Sequence, residues 1–171
     1  MTTRLKAGVS VQALYLSMRA RNPAPFGALA RLSAEETLLC LSPERLLQWS
    51  PEGEVRTEPI KGTRPRGDSE EQDTSSQRAL LESLKDRAEH TMIVDLERND
   101  LGRLCLPGSV RVEALRSLQS YPTVHHMVSH VVGQLKPNTG LAALLKATFP
   151  GGSITGAPKL RATQVISRLE V

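Results

Sequence analysis

Gly151-Gly152-Ser153-Ile154-Thr155-Gly156-Ala157-Pro158-Lys159 is the stretch from which the rest of the chain is most readily placed. Its glycines carry no Cβ, so backbone amides there can approach a bound group closely. Pro158 suits the first turn of a helix. Leu160, Val165, Ile166 and Leu169 follow at roughly helical spacing, which predicts an amphipathic helix beyond it. A glycine-rich turn that opens a helix offers unpaired N–H groups and the positive end of a dipole, a setting that suits an anion. A plain loop between two helices accounts for the same residues. The Walker phosphate loop does not, because it requires Lys-Ser/Thr after Gly156 and Ala157 stands there.

Working outward, Leu141–Phe149 reads as a helix leading into this turn, and Val124–Val132 and Ser109–Val112 read as strands. From about Gln77 to Leu104 the pattern is helical, with Leu80, Leu81, Leu84, Ala88, Met92, Ile93 and Leu96 as an apolar stripe, until Pro107-Gly108. Arg64–Ser76 is rich in Pro, Gly, Asp and Ser and predicts a mobile surface loop. Val55–Ile60 reads as one strand after the turn Pro51-Glu52-Gly53, and Phe26–Leu32, Thr37–Leu41 and Arg45–Trp49 as three more. Val11, Leu14, Tyr15 and Met18 share a helical face with Ser10 as N-cap, and Asn22-Pro23-Ala24-Pro25 ends that helix. The pattern is mixed α and β, without an internal repeat.

A chain of 171 residues fits one domain and can bury on the order of 70% of its unfolded surface. Its 39% hydrophobic and 23% charged residues are those of a soluble globular protein. No stretch reads as a signal peptide or a membrane span. Cys40 and Cys105 lack metal-like or redox spacing and are expected to stay reduced, in a cytoplasmic setting. The net charge of +4 comes from scattered basic residues, and aromatics are only 3%, which argues against a stacking platform for single-stranded nucleic acid. A small anionic substrate explains the charge equally well.

Four groups could carry chemistry. Lys61, in Pro59-Ile60-Lys61-Gly62-Thr63, has little flanking bulk on its glycine side, so its amine could reach into a cleft. As a nucleophile it must shed a proton, and an ordinary lysine is neutral in only about one molecule in a few thousand at pH 7. A solvated surface lysine is the commoner outcome for any lysine. Glu44, in Ser42-Pro43-Glu44-Arg45, could serve as a proton donor, or be exposed or paired with Arg45. Asp95 and Arg98 form a helical surface pair, whereas Glu89 is placed by Met92, Ile93 and Leu96 toward the buried side, where a carboxylate needs a cation such as Mg²⁺. On a strand, His126 and His130 share a face about 13 Å apart and His125 faces the other way, so one catalytic or hydrogen-bonding histidine is the economical reading.

Ser42-Pro43-Glu44-Arg45, Pro59-Ile60-Lys61-Gly62-Thr63, Lys85-Asp86-Arg87-Ala88-Glu89, Asp95–Arg103, Tyr121–Ser129 and Gly151–Lys159 occur in this order along the chain. In these six motifs, from about Leu14 onward, the chain resembles the chorismate-utilising enzymes: anthranilate synthase component I, aminodeoxychorismate synthase component I, and their isochorismate and salicylate relatives. The resemblance implies an α+β fold, a partial anthranilate synthase component I-like α/β sandwich of antiparallel sheets flanked by helices. Residues 1–171 are then the central part of one chorismate-binding domain, lacking an N-terminal segment and a C-terminal end that carries a second metal carboxylate and basic residues for the substrate.

Lysine at position 61, where anthranilate synthases usually carry alanine, points to the aminodeoxychorismate branch. The resemblance implies that Lys61 attacks chorismate, Glu44 protonates the departing hydroxyl, and His126 is the family's active-site histidine. Glu89 matches a ligand of Mg²⁺, while Gly152, Ser153, Thr155 and Gly156 hold the substrate through backbone amides. The partner implied is a glutamine amidotransferase component that supplies ammonia, and the product belongs to folate (para-aminobenzoate) biosynthesis. An anthranilate synthase-like lyase, an inactive remnant of the family and a basic nucleic-acid binder are the alternatives; neither nucleic acid nor membrane is expected as a partner.

Overall fold

The computed structural model describes residues 6 and 8–170. They divide into two compact units, the first ending at Glu44 and the second beginning at Arg45. In the first, α1 (Val11–Arg21) starts where Ser10 Oγ accepts a hydrogen bond from the Ala13 amide at 3.2 Å, the cap expected from the sequence. β1 (Phe26–Arg31) and β2 (Thr37–Ser42) pair antiparallel from Phe26↔Ser42 to Arg31↔Thr37. Ser33 Oγ shapes the turn between them by accepting from the amides of Glu35 and Glu36.

The second unit is built on an antiparallel sheet of β3 (Arg45–Trp49), β4 (Glu54–Glu58), β5 (Ile60–Pro65), β6 (Arg111–Ser120) and β7 (Val124–Gln134). The long strand β7 is its hub. It pairs with β6 from His125 to Val132, so its other edge takes two shorter strands end to end: β5 along Val124–Val128 and β4 along Val131–Gln134. Pro59 has no N–H to give a ladder, and the single strand expected over Val55–Ile60 divides there into β4 and β5. β7 is buried along nearly its whole length. Val55, Val131 and Leu135 meet Val94, Leu101, Leu144 and Cys105 in the main core.

Two sequence expectations are corrected. The loop expected over Arg64–Ser76 is instead the end of β5 followed by the start of α2 (Glu70–Glu82). Ser69 caps that helix by accepting from the Gln72 amide, and Glu70, Glu71 and Asp73 in its first turn suit the helix dipole. The long helix expected to Leu104 is also two helices, because Ser83 ends α2 and caps α3 (Leu84–Gly102) through the Asp86 amide at 3.2 Å. That break resets the helical phase. Leu84 is 79% and Met92 44% exposed, and α3 buries His90, Ile93, Val94, Glu97, Asp100 and Leu101.

α4 (Leu141–Thr148) is followed by a single turn, α5 (Gly152–Thr155), and then α6 (Lys159–Leu169), as the glycine-rich stretch predicts. β6 runs on to Ser120, well past the expected end at Val112. Among the described residues no helix is long and apolar enough to cross a membrane.

Candidate active site

Lys61 meets the glycine turn. Its Nζ donates to the carbonyl of Ser153 at 3.1 Å, joining two motifs that are 92 positions apart. Two features place it. β5 and β7 are in register at Ile60↔Val128 and again at Thr63↔His126, three residues on β5 against two on β7, so Lys61-Gly62 is a β-bulge. Gly62 adopts φ +90°, and a Cβ there would lie 2.8 Å from Leu80 Cδ1. Glycine is the residue that tolerates both the backbone and the contact. At the other end, Gly152 lies against α3, where a Cβ would fall 2.6 Å from Leu96 Cδ2.

The turn itself is a tight helical one. The amides of Ile154 and Thr155 donate to the Gly151 carbonyl and the Gly156 amide donates to Gly152. Those three N–H groups are therefore engaged within the turn. Lys159, which closes the motif, anchors it: its amine donates to the Asp100 carboxylate of α3 and, at 3.0 Å, to the Thr148 carbonyl. Arg103, just past the end of α3, donates to the Ala147 carbonyl at 2.6 Å. Asp100 is buried, and a buried carboxylate needs this kind of cationic partner.

His90 is wholly buried on α3 and was not singled out by sequence. Its Nδ1 lies 3.2 Å from the Lys61 carbonyl and its Nε2 2.6 Å from Ser129 Oγ. Burial holds its pKa below the ordinary imidazole value; donation to the Lys61 carbonyl opposes this, and the Arg116 and Lys61 charges reinforce it.

The three neighbouring histidines have separate surroundings. His126 Nδ1 and Thr63 Oγ1 are 2.9 Å apart, so His126 stands beside the strand that carries Lys61, with the Tyr121 ring edge-on at 5.5 Å. His125 is buried between Ser120 Oγ and Asp73 Oδ1, each at 2.8 Å. Asp73 also receives Arg66 Nε at 2.7 Å and the Gly67 amide at 2.8 Å. His130 Nε2 faces the Gln119 amide at 3.5 Å.

Glu44 belongs to the first unit, where Ser42 Oγ accepts from its amide and donates to its carbonyl. Arg45 donates to Glu58 at 3.0 Å. Glu89 corrects the expected placement: it lies on the open side of α3, its side chain 46% exposed and 3.5 Å from Lys85. The carboxylates this helix buries are Asp100 and Glu97, and Glu97 accepts from Thr57 Oγ1 at 2.6 Å. Among the described residues no group of three or more His, Cys, Asp or Glu side chains could hold a metal ion.

The family model for chorismate binding enzyme matches residues 1–171. The chain belongs to that family. This chorismate binding enzyme family chain is 54% identical over 149 residues to aminodeoxychorismate synthase component 1 of Klebsiella aerogenes, covering 87% of the chain and 33% of that relative. It is 43% identical over 157 residues to anthranilate synthase component 1 of Saccharolobus solfataricus, covering 92% and 37%. The crystal structure of anthranilate synthase component I from Streptococcus pneumoniae TIGR4 superposes with a TM-score of 0.82 at 34% identity, over 94% of this chain and 34% of that one. The chain thus spans about a third or less of the length of most of the curated relatives it matches. The mixed fold of antiparallel sheets and helices expected from the sequence is the one observed.

Proposed function

We propose that this chain carries the reactive lysine of an aminodeoxychorismate synthase, which replaces the 4-hydroxyl of chorismate by an amino group. The observation that carries the reading is the contact of Lys61 Nζ with the Ser153 carbonyl, which brings a strand amine to a glycine-rich turn. The higher identity to an aminodeoxychorismate synthase than to an anthranilate synthase supports the same branch.

The uncharged Lys61 amine attacks C2 of chorismate. Both ring double bonds shift by one position and the C4–O bond breaks, the hydroxyl leaving as water with a proton from Glu44. Ammonia then attacks C4, the double bonds shift back and the C2–N bond to Lys61 breaks, leaving 4-amino-4-deoxychorismate. The balance is chorismate plus ammonia to product plus water. His126, whose Nδ1 lies 2.9 Å from Thr63 Oγ1 on the strand that carries Lys61, passes protons in this reading. Ser153, Thr155 and the Gly152–Gly156 backbone border the substrate ring, and a glutamine amidotransferase partner delivers the ammonia.

A magnesium ion would neutralise a substrate carboxylate. Glu89 would supply one ligand, but a single half-exposed carboxylate paired with Lys85 falls short of a metal site. No step above passes through the ion.

The test is the full gene product with chorismate, ammonium and Mg²⁺, its products identified by mass spectrometry. 4-Amino-4-deoxychorismate is expected, and K61A is expected to abolish it while chorismate still binds. Anthranilate and pyruvate as products, or undiminished turnover in K61A, would overturn the reading.

A further inference from the structure

Two β-bulges lie close together on opposite edges of the hub strand, one opposite Met127 and the other opposite Ser129. On one edge of β7, the bulge at Lys61-Gly62 lies opposite the segment between Val128 and His126. On the other edge, β6 is in register at Ala114↔His130 and again at Ser117↔Val128, three residues against two, and within that bulge Arg116 adopts φ +57°. A non-glycine residue in the left-handed region marks a constrained backbone. Ser129 stands opposite the β6 bulge and, on the other edge, beside Pro59, two residues before Lys61. Its amide donates to the Pro59 carbonyl at 3.2 Å, and its Oγ accepts from the Arg116 amide at 2.9 Å.

Proton positions follow from what each atom can do. The Lys61 carbonyl only accepts, so His90 Nδ1 carries a hydrogen and donates to it. His90 Nε2 then has a lone pair, and the Ser129 hydroxyl donates into it while accepting from Arg116. One directed chain results, from the Arg116 N–H through Ser129 and His90 to the Lys61 carbonyl. It ties the bulge of β6 to the bulge of β5 through a buried ring on α3. A bulge re-aims its side chain, but its extra residue is left out of the ladder. The Lys61 peptide therefore needs an anchor from elsewhere.

We infer that His90 is a positioning residue: by donating to the Lys61 carbonyl from a ring oriented by Ser129, it fixes the bulge that delivers the Lys61 amine to the glycine turn. The inference rests on the reading of Lys61 as the reactive amine. His90 touches no substrate and reaches the chemistry only through Lys61.

Side-chain amides separate the two bonds. In H90N the amide nitrogen overlies Nδ1 and can still donate to the Lys61 carbonyl; in H90Q the amide overlies Nε2 and keeps only the Ser129 side. S129A removes the hydroxyl that orients the ring, with little change in volume. In the full gene product, H90Q and S129A are expected to lower kcat by about a hundredfold, the usual cost of a small misplacement, with KM little moved. H90N is expected to recover most of that loss. ¹⁵N NMR of the chain should report the Nδ1–H tautomer at His90.

Equal activity in H90N and H90Q, wild-type kcat in S129A, or an Nε2–H tautomer would overturn the inference. Failure of the underlying reading has a different mark, an active K61A. Melting curves for each variant keep loss of folding apart from loss of position, and S129A carries the test should the His90 variants unfold.

Discussion

Lys61 reaches the backbone of Ser153, not its side chain: Nζ donates to the carbonyl oxygen at 3.1 Å. The contact therefore depends on where the turn lies and not on the hydroxyl. In S153A, Lys61 should be acetylated by acetic anhydride at the wild-type rate, as read by mass spectrometry. G152A should behave differently, because its methyl would meet Leu96 Cδ2 at 2.6 Å and push the turn away from α3. Lys61 acetylation is expected to quicken there, with a stability loss of about 1–3 kcal/mol for overpacking. A faster rate in S153A, or equal rates in wild type and G152A, would show that the turn does not hold the amine.

The bulge that aims Lys61 makes a second demand. Gly62 combines φ +90° with close approach to Leu80 and Asp86, where a Cβ would lie 2.8 and 3.2 Å from their side chains. G62A should lose about 1–3 kcal/mol from backbone strain alone, read as a lower urea midpoint with an unchanged slope. A midpoint equal to wild type would mean that the bulge relaxes freely and is no fixed mount for the lysine.

Much of this was legible in the sequence. Ser10 gave the start of α1, and the runs at Phe26, Thr37 and Arg45 became strands because turn residues separate them. The adjacency of Lys61 to the glycine turn followed only from motif order, since no local pattern links residues 92 positions apart. What failed was phase. Ser83 looks like an ordinary helical serine, yet it caps α3, and the restart turns Leu84 and Met92 outward and His90, Glu97 and Asp100 inward. Glu89 was misplaced for that reason. In β6 the bulge before Ser117 breaks the two-residue alternation, which hid the strand beyond Val112. A spacing of His90, Ile93 or Val94, Glu97 and Leu101 was present, but polar residues at core positions carry no apolar signal.

Asp73 ties the start of α2 to β7 and should make the fold sensitive to acid. Hydrogen bonds from the Arg66 guanidinium first, then from the Gly67 amide and His125, hold its carboxyl well below the usual carboxylate range. A pKa lower in the folded than in the unfolded state stabilises at pH values above the unfolded value, about 3.9, and that stabilisation disappears as pH falls toward the folded value. D73N should therefore be less stable at neutral pH and lose less on acidification. Urea midpoints measured from pH 7 into that acid range would show the two curves converging; parallel curves would mean that Asp73 titrates alike in both states.

Cys40 and Cys105 are both free thiols, but their surroundings differ. Cys105 is 1% exposed in the main core, and burial pushes its thiol pKa up, away from the reactive thiolate. Cys40 is only half-buried on β2. At neutral pH, iodoacetamide should alkylate Cys40 while Cys105 is spared, and Cys105 should become labelled only as the second unit unfolds. Its labelling across a urea series should then track the loss of tryptophan fluorescence from Trp49, which lies on β3 of the same unit. Labelling of Cys105 well before that transition would place it in a part of the sheet that opens independently of the core formed by Val55, Val131 and Leu144.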